Sequence, residues 1–265
     1  MGRHSPPLAG VTVLVTRPAG QGGALCRAVE AAGGTAVHIP VITIQPRAGE
    51  VPQRELRQAV SASDDILFVS RNAVSCALAL LDHDAAAFAG KRVYAAGAGT
   101  RRALQEAGIA ASVGADATRA SEALLELPEL AAANVAGRNL ALLRGKGGRE
   151  LLAEELRQRG ACVHVVGLYR RTLPAVPPQQ MQALWREICP DVVVITSATG
   201  LYNLAAMTAA GDRPTLLRAG LVVMSERIAA AAVELGFERK PVIAAAASDA
   251  GLLEAVKACT QWNRQ

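Results

Sequence analysis

The chain repeats itself, and that repeat restricts the fold more than any other feature. Val13-Leu-Val-Thr-Arg17 returns as Leu140-Ala-Leu-Leu-Arg144 at an offset of 127 residues, and Asp64 to Ser70 (DDILFVS) returns as Asp191 to Ser197 (DVVVITS) at the same offset. Tyr94-Ala-Ala-Gly97 matches Val222-Val-Met-Ser225 at an offset of 128. After the first block, each copy passes a Gly-bearing turn and a helical pattern closed by Gly33 or Gly160. A short apolar run containing His38 or His164 follows. Registered blocks in one order mean that the fold must be one that half the chain can adopt twice.

Within each copy, apolar runs of about four to six residues alternate with helical patterns that end in Gly, the pattern of buried parallel strands joined by crossover helices. Leu151 to Arg159 and Ala229 to Leu235 carry helical periodicity, with Gly160 and Gly236 as stops. The expected class is α/β: two duplicated flavodoxin-like doubly wound parallel-sheet domains joined by a two-strand hinge. Ile39 to Pro46 and Val163 to Thr172 run past their strands into extended, Pro-punctuated chain. That places one discontinuous lobe at 11–38 plus 172–265, a second at 43–168, hinge connectors at 39–42 and 169–171, and a flexible tail at 1–10. The two lobes would hold 122 and 126 residues, nearly equal, as a duplication requires. A cleft between lobes is the expected ligand site.

Composition excludes several classes. With 51% hydrophobic and 19% charged residues, the chain is neither disordered nor collagenous nor of polar low complexity. Its formal charge of +5 suits an anionic small molecule and is too diffuse for nucleic acid. An apolar stretch long enough to span a membrane is missing, as is the apolar core of a signal peptide. Five scattered cysteines without C-x-x-C point to reduced thiols in the cytoplasm and to neither zinc nor a disulfide framework.

Cofactor and hydrolase motifs are incomplete. Gly20-Gln-Gly22-Gly23 and Gly145-Lys-Gly147-Gly148 follow strands, but Leu25 and Glu150 occupy the last slot of a dinucleotide fingerprint. Gly97-Ala-Gly99 fails likewise at Arg102. No G-x-x-x-x-G-K-[ST], G-x-S-x-G or H-E-x-x-H is present, so no cofactor is expected. His38 and His164 are repeat equivalents that suit either a proton shuttle across the hinge or two half-exposed strand positions.

What remains is a set of hydroxyls and cations at strand-to-helix junctions: Arg17, Ser70, Arg71, Gly97, Thr100, Arg144, Ser197, Gly200 and Ser225, with Lys146 and Arg149 in a Gly-rich turn. In open α/β sheets ligands bind at that edge, where helix N-termini offer unpaired N–H groups to anions. Each hydroxyl alone is equally an ordinary helix cap. Taken together they suit a multiply anionic small-molecule ligand.

These residues resemble the uroporphyrinogen-III synthase family. The likeness lies in Val15-Thr-Arg17-Pro18, Phe68-Val-Ser70-Arg71-Asn72-Ala73-Val74 and Val93-Tyr-Ala-Ala-Gly97-Ala-Gly-Thr100. It continues through Leu143-Arg144-Gly145, Gly148-Arg149-Glu150-Leu151, Leu168-Tyr169-Arg170 and Thr196-Ser197-Ala-Thr-Gly200. It runs from about Leu8 to Val256, nearly the whole chain. The resemblance implies a cofactor-free enzyme of haem biosynthesis that cyclises the linear octacarboxylate hydroxymethylbilane to uroporphyrinogen III, inverting the terminal ring and losing water. It implies Tyr169 as hydrogen-bond donor to the leaving hydroxyl. It also implies Ser70, Thr100 and Ser197 as carboxylate binders, aided by Arg17, Arg144, Lys146 and Arg149. Ile228 departs from the family, which often keeps a hydroxyl there; Ser225 or Arg227 would substitute. A monomer is the default. Two other classes stay open: a non-catalytic two-lobed cytosolic binding or sensing module for a polyanion, and a flavin oxidoreductase. The latter lacks its Ser/Thr-rich phosphate loop after Thr16.

Overall fold

The computed structural model describes residues 6–114, 120–147 and 150–261. Its strands, in chain order, are β1 (Thr12–Val15), β2 (Thr35–His38), β3 (Thr43–Pro46), β4 (Asp65–Phe68), β5 (Arg92–Ala95) and β6 (Ser112–Val113). Then come β7 (Asn139–Gly145), β8 (Cys162–Thr172), β9 (Val192–Ile195), β10 (Gly220–Val223) and β11 (Val242–Ile243). They form two sheets, ordered β11-β10-β9-β1-β2 and β3-β8-β7-β4-β5-β6. The chain divides into two compact units, Met1–Thr43 with Thr172–Gln265, and Ile44–Arg171. It passes between them twice.

The first unit carries the five-stranded sheet, parallel throughout. Numbered by chain order within the unit, its strands lie 2-1-3-4-5, a doubly wound order. β9 (VVVI) and β10 (GLVV) are wholly buried, because helices cover both faces and leave no polar side to the pleat. Val13, Val15, Val192, Val194 and Val222 pack with Leu25, Val29, Leu252 and Val256 of the Gly23–Ala31 and Asp249–Gln261 helices. Residues 6–10 differ from the expected flexible tail. Leu8 is fully buried in this core, and its N–H donates to the Ala32 carbonyl at 3.0 Å. One apolar side chain fitted under a helix end is enough to anchor a short segment.

In the second unit the period of two separates the sheet faces. Ile66, Phe68, Ala141 and Leu143 point into one core with Leu56, Val74 and Leu104. Leu67, Tyr94, Leu140 and Leu142 point into the other with Leu152 and Leu156. Residues 169–171, expected as a hinge connector, are the continuation of β8, and Leu168 and Tyr169 are buried in the first of these cores. Residues 39–42 likewise contribute Ile39, Val41 and Ile42 to buried surface. Gly160 and Gly236 stop their helices at φ +88° and +89°, the left-handed position that a side chain would strain.

Tyr94 gives this core a measurable property. Its hydroxyl is buried without a hydrogen-bond partner among the described residues. Burial, with the Asp65 charge adding, pushes its pKa up to about 12. The folded value lies above the unfolded one near about 10, so the contribution is fully present below about pH 10 and is lost as pH rises through about 12. Tyr94→Phe should match or exceed the wild type in urea melts at neutral pH and flatten the alkaline loss. A loss above about 1 kcal/mol at neutral pH would mean that the hydroxyl has a partner.

Candidate active site at the strand ends

Strand order locates the site within each unit. In the first unit the chain moves from β1 to β2 in one direction and from β9 through β10 to β11 in the other, so connections diverge at the carboxyl ends of β1 and β9. In the second unit β7 leads to β8, while β4 leads through β5 to β6, so the divergence falls between β7 and β4. Such switch points leave an open crevice at the sheet edge. The first carries Thr16-Arg17 and Ser197; the second carries Arg144-Gly145-Lys146 and Ser70.

Ser70 and Ser197 are helix caps. Ser70 Oγ accepts from the Ala73 N–H, and Ser197 Oγ from the Gly200 N–H, each at 3.1 Å. Gly200 is therefore engaged through its N–H, and a Cβ there would lie 3.3 Å from Val41 Cγ2. Thr100 sits at the third position of the Ala98–Glu106 helix and is buried. Ile228 occupies the third position of the Glu226–Glu234 helix and is buried as well, so an apolar side chain fills that place without exposing the helix end. Ser225 caps that helix in extended conformation but makes no side-chain cap bond, and Arg227 is exposed. Arg71 and Lys146 are exposed too. Arg149 lies outside the described residues.

Arg17 and Arg144, equivalent in the sequence repeat, share an arrangement that the sequence did not reveal. Both are buried, at 6% and 8% exposure. Arg17 is ion-paired with Asp249, and Arg144 with Glu150. Their charges are met by the chain's own carboxylates, and each ties a strand end to the start of a helix.

The second unit brings Tyr169 and Ser70 together. Tyr169 is 1% exposed, and its hydroxyl lies 2.9 Å from Ser70 Oγ. Arg171 Nη2 donates to the same phenol oxygen at 3.3 Å, and its guanidinium stands 5.7 Å from the ring centroid. The ring lies on Gly145, where a Cβ would come within 2.7 Å of Cε2 and Cζ. The Tyr169 carbonyl accepts from the Lys146 N–H at 2.7 Å. Arg171 was missed from sequence. Its signal was the two-residue spacing from Tyr169, which puts both on one face of β8.

Other chemistry is poorly supplied among the described residues. Burial pushes the Cys76 and Cys259 thiols up, the opposite of what a thiolate nucleophile needs. No group of three or more His, Cys, Asp or Glu is placed to hold a metal ion. His38 Nε2 lies 2.8 Å from the Arg17 carbonyl, within its own unit, and His164 is exposed. No helix among the described residues is long and apolar enough to cross a membrane.

Comparison with known proteins bears on this arrangement. The family model described as uroporphyrinogen-III synthase HemD matches residues 23–254. The chain is 36% identical over 252 residues to the uroporphyrinogen-III synthase of Salmonella typhimurium, covering 93% of this chain and 100% of that protein. It is 33% identical over 250 residues to the Escherichia coli protein of the same name, with the same two coverages. A mutant uroporphyrinogen III synthase from the extremely thermophilic bacterium Thermus thermophilus shares the fold with a TM-score of 0.64 at 23% identity, over 96% of this chain and 100% of that one. The family model covers most of the chain, and both relatives are matched over their whole length, so the chain belongs to the uroporphyrinogen-III synthase family.

Proposed function

We propose that the protein is a cofactor-independent lyase that cyclises hydroxymethylbilane to uroporphyrinogen III, with inversion of the terminal pyrrole ring and loss of water. The observation that carries the chemical part is the Tyr169–Ser70–Arg171 cluster at a sheet edge. Ser70 Oγ already accepts from Ala73, so its own proton is free to donate to the phenol oxygen. With Arg171 donating there too, the Tyr169 O–H is left to donate to the substrate. Hydrogen bonds into the oxygen polarise the phenol and strengthen it as a donor. The leaving hydroxyl departs as water, an azafulvene cation forms, and the terminal ring closes through a spiro intermediate that fragments and recloses. Positioning supplies most of the acceleration, because the bilane also cyclises unaided, to the type I isomer.

Each sheet, taken by itself, has a carboxyl edge with anion contacts suited to substrate carboxylates. Ser70, Thr100, Ser197 and Ser225 sit on helix N-termini there. Lys146, Arg71 and Arg227 add exposed positive charge. The corresponding strand orders and the sequence repeat support two duplicated flavodoxin-like lobes joined by a two-strand hinge. Five free cysteines support the reducing cytoplasm, and we take the protein as a monomer. Purified protein incubated with hydroxymethylbilane should give mainly the type III isomer. Type I alone, at the uncatalysed rate, would refute the assignment.

A further inference from the structure

Next to the Tyr169 cluster, the second unit holds a small basic pocket that joins Lys146 and Arg170, from two separate sequence motifs, to Arg47, which no motif contains. It has a volume of about 260 Å³ and is lined by Gln45, Pro46, Arg47, Pro52, Lys146 and Arg170. Its walls are built. Arg170 Nε donates to Gln45 Oε1 at 2.7 Å. Arg47 donates to Glu55 at 2.8 Å and to the Gly167 carbonyl at 3.0 Å. The stem of Lys146 lies across Gly167, where a Cβ would come within 2.9 Å of its Cγ. Three cations therefore converge, and one carboxylate, Glu55, answers one of them. Lys146 Nζ has no partner among the described residues, and the Arg170 guanidinium has only the Gln45 bond.

Like charges held together in this way repel unless an anion joins them. The volume is far below that of a tetrapyrrole and suits one carboxylate arm. Lys146 and Arg170 are exposed, which opens the pocket to a ligand at the same strand end. Backbone continuity ties it to the chemistry: Arg170 follows Tyr169, and the Lys146 N–H holds the Tyr169 carbonyl.

We infer that this pocket is a specificity subsite that takes one acetate or propionate side chain of the substrate, with Lys146 and Arg170 as its charge-bearing ligands and Arg47 as its back wall. The inference rests on the proposed function and names a contact within it.

The test is steady-state kinetics on the wild type and the double variant Lys146→Gln/Arg170→Gln, with Lys146→Arg as the conservative variant. The double variant should raise KM for hydroxymethylbilane at least about tenfold, flatten its dependence on salt, and change kcat by less than about threefold. Lys146→Arg should keep most of the wild-type KM, and thermal melts should coincide. An unchanged KM and salt dependence in the double variant, or a loss confined to kcat, overturns the subsite. So does inorganic phosphate that inhibits the wild type noncompetitively with hydroxymethylbilane and does not inhibit the double variant, because the pocket would then take free phosphate and no substrate arm. Wild-type protein that forms no type III isomer overturns the proposed function, and the subsite with it; a type III-forming wild type isolates the pocket as the part that failed.

Discussion

Asp65→Ala should destabilise the protein by about 3 kcal/mol and lower its melting temperature by about 10 °C. Asp65 opens β4 and is completely buried. It accepts from Arg92 Nε and Nη2 at 2.5 and 2.8 Å and from Arg138 Nε at 2.8 Å. The carboxylate hydrogen bond raises the Arg92 pKa, against the opposing effect of burial. One anion thus joins the amino ends of β4 and β5 to the residue preceding β7. Removing it leaves two guanidiniums facing a void, and their partial exposure, at 38% and 35%, keeps the cost near the lower end for a broken buried pair. The control is Glu106→Ala, which breaks the Arg102–Glu106 pair between side chains 82% and 63% exposed; it should cost under about 0.5 kcal/mol. Urea melts of both variants make the comparison, and equal losses would contradict this account of the buried cluster.

Tyr169→Phe should lower kcat about 100-fold while leaving KM within about threefold and the melting temperature nearly unchanged. The phenyl ring keeps its place on Gly145, and Ser70 Oγ keeps its bond from Ala73, so the fold loses little. What goes is the donor toward the leaving hydroxyl. Wild-type kinetics in this variant would remove Tyr169 from the mechanism. A kcat loss accompanied by an equal loss of folded protein would make its role structural.

Much of the scaffold was legible because it is local. A run such as Val192–Ile195 states its own burial, Gly160 and Gly236 state where helices stop, and the repeat offset places β1 with β7 and β9 with β4. Ser70 and Ser197 were readable as strand-end caps for the same reason. Side-chain partnerships were not legible, because they depend on which distant elements the strand order makes neighbours. Asp249 answers Arg17 from 232 residues away, and Ser70 meets Tyr169 across 99. Nor does periodicity say that Leu8 should fold under a helix end, since a single apolar residue has no period. The basic pocket stayed hidden because Arg47, just past β3, and Arg170, in β8, lie far apart in sequence, and only the strand order makes β3 and β8 neighbours.

What separates a synthase from a binding module is that it directs ring closure of the bilane rather than merely holding it. The most direct measurement is the isomer composition of the product as a function of protein concentration, at fixed hydroxymethylbilane. The type III fraction should climb from near zero toward unity as protein is added, while total consumption accelerates in proportion. An isomer ratio that stays at the uncatalysed type I outcome at every protein concentration would contradict the synthase reading.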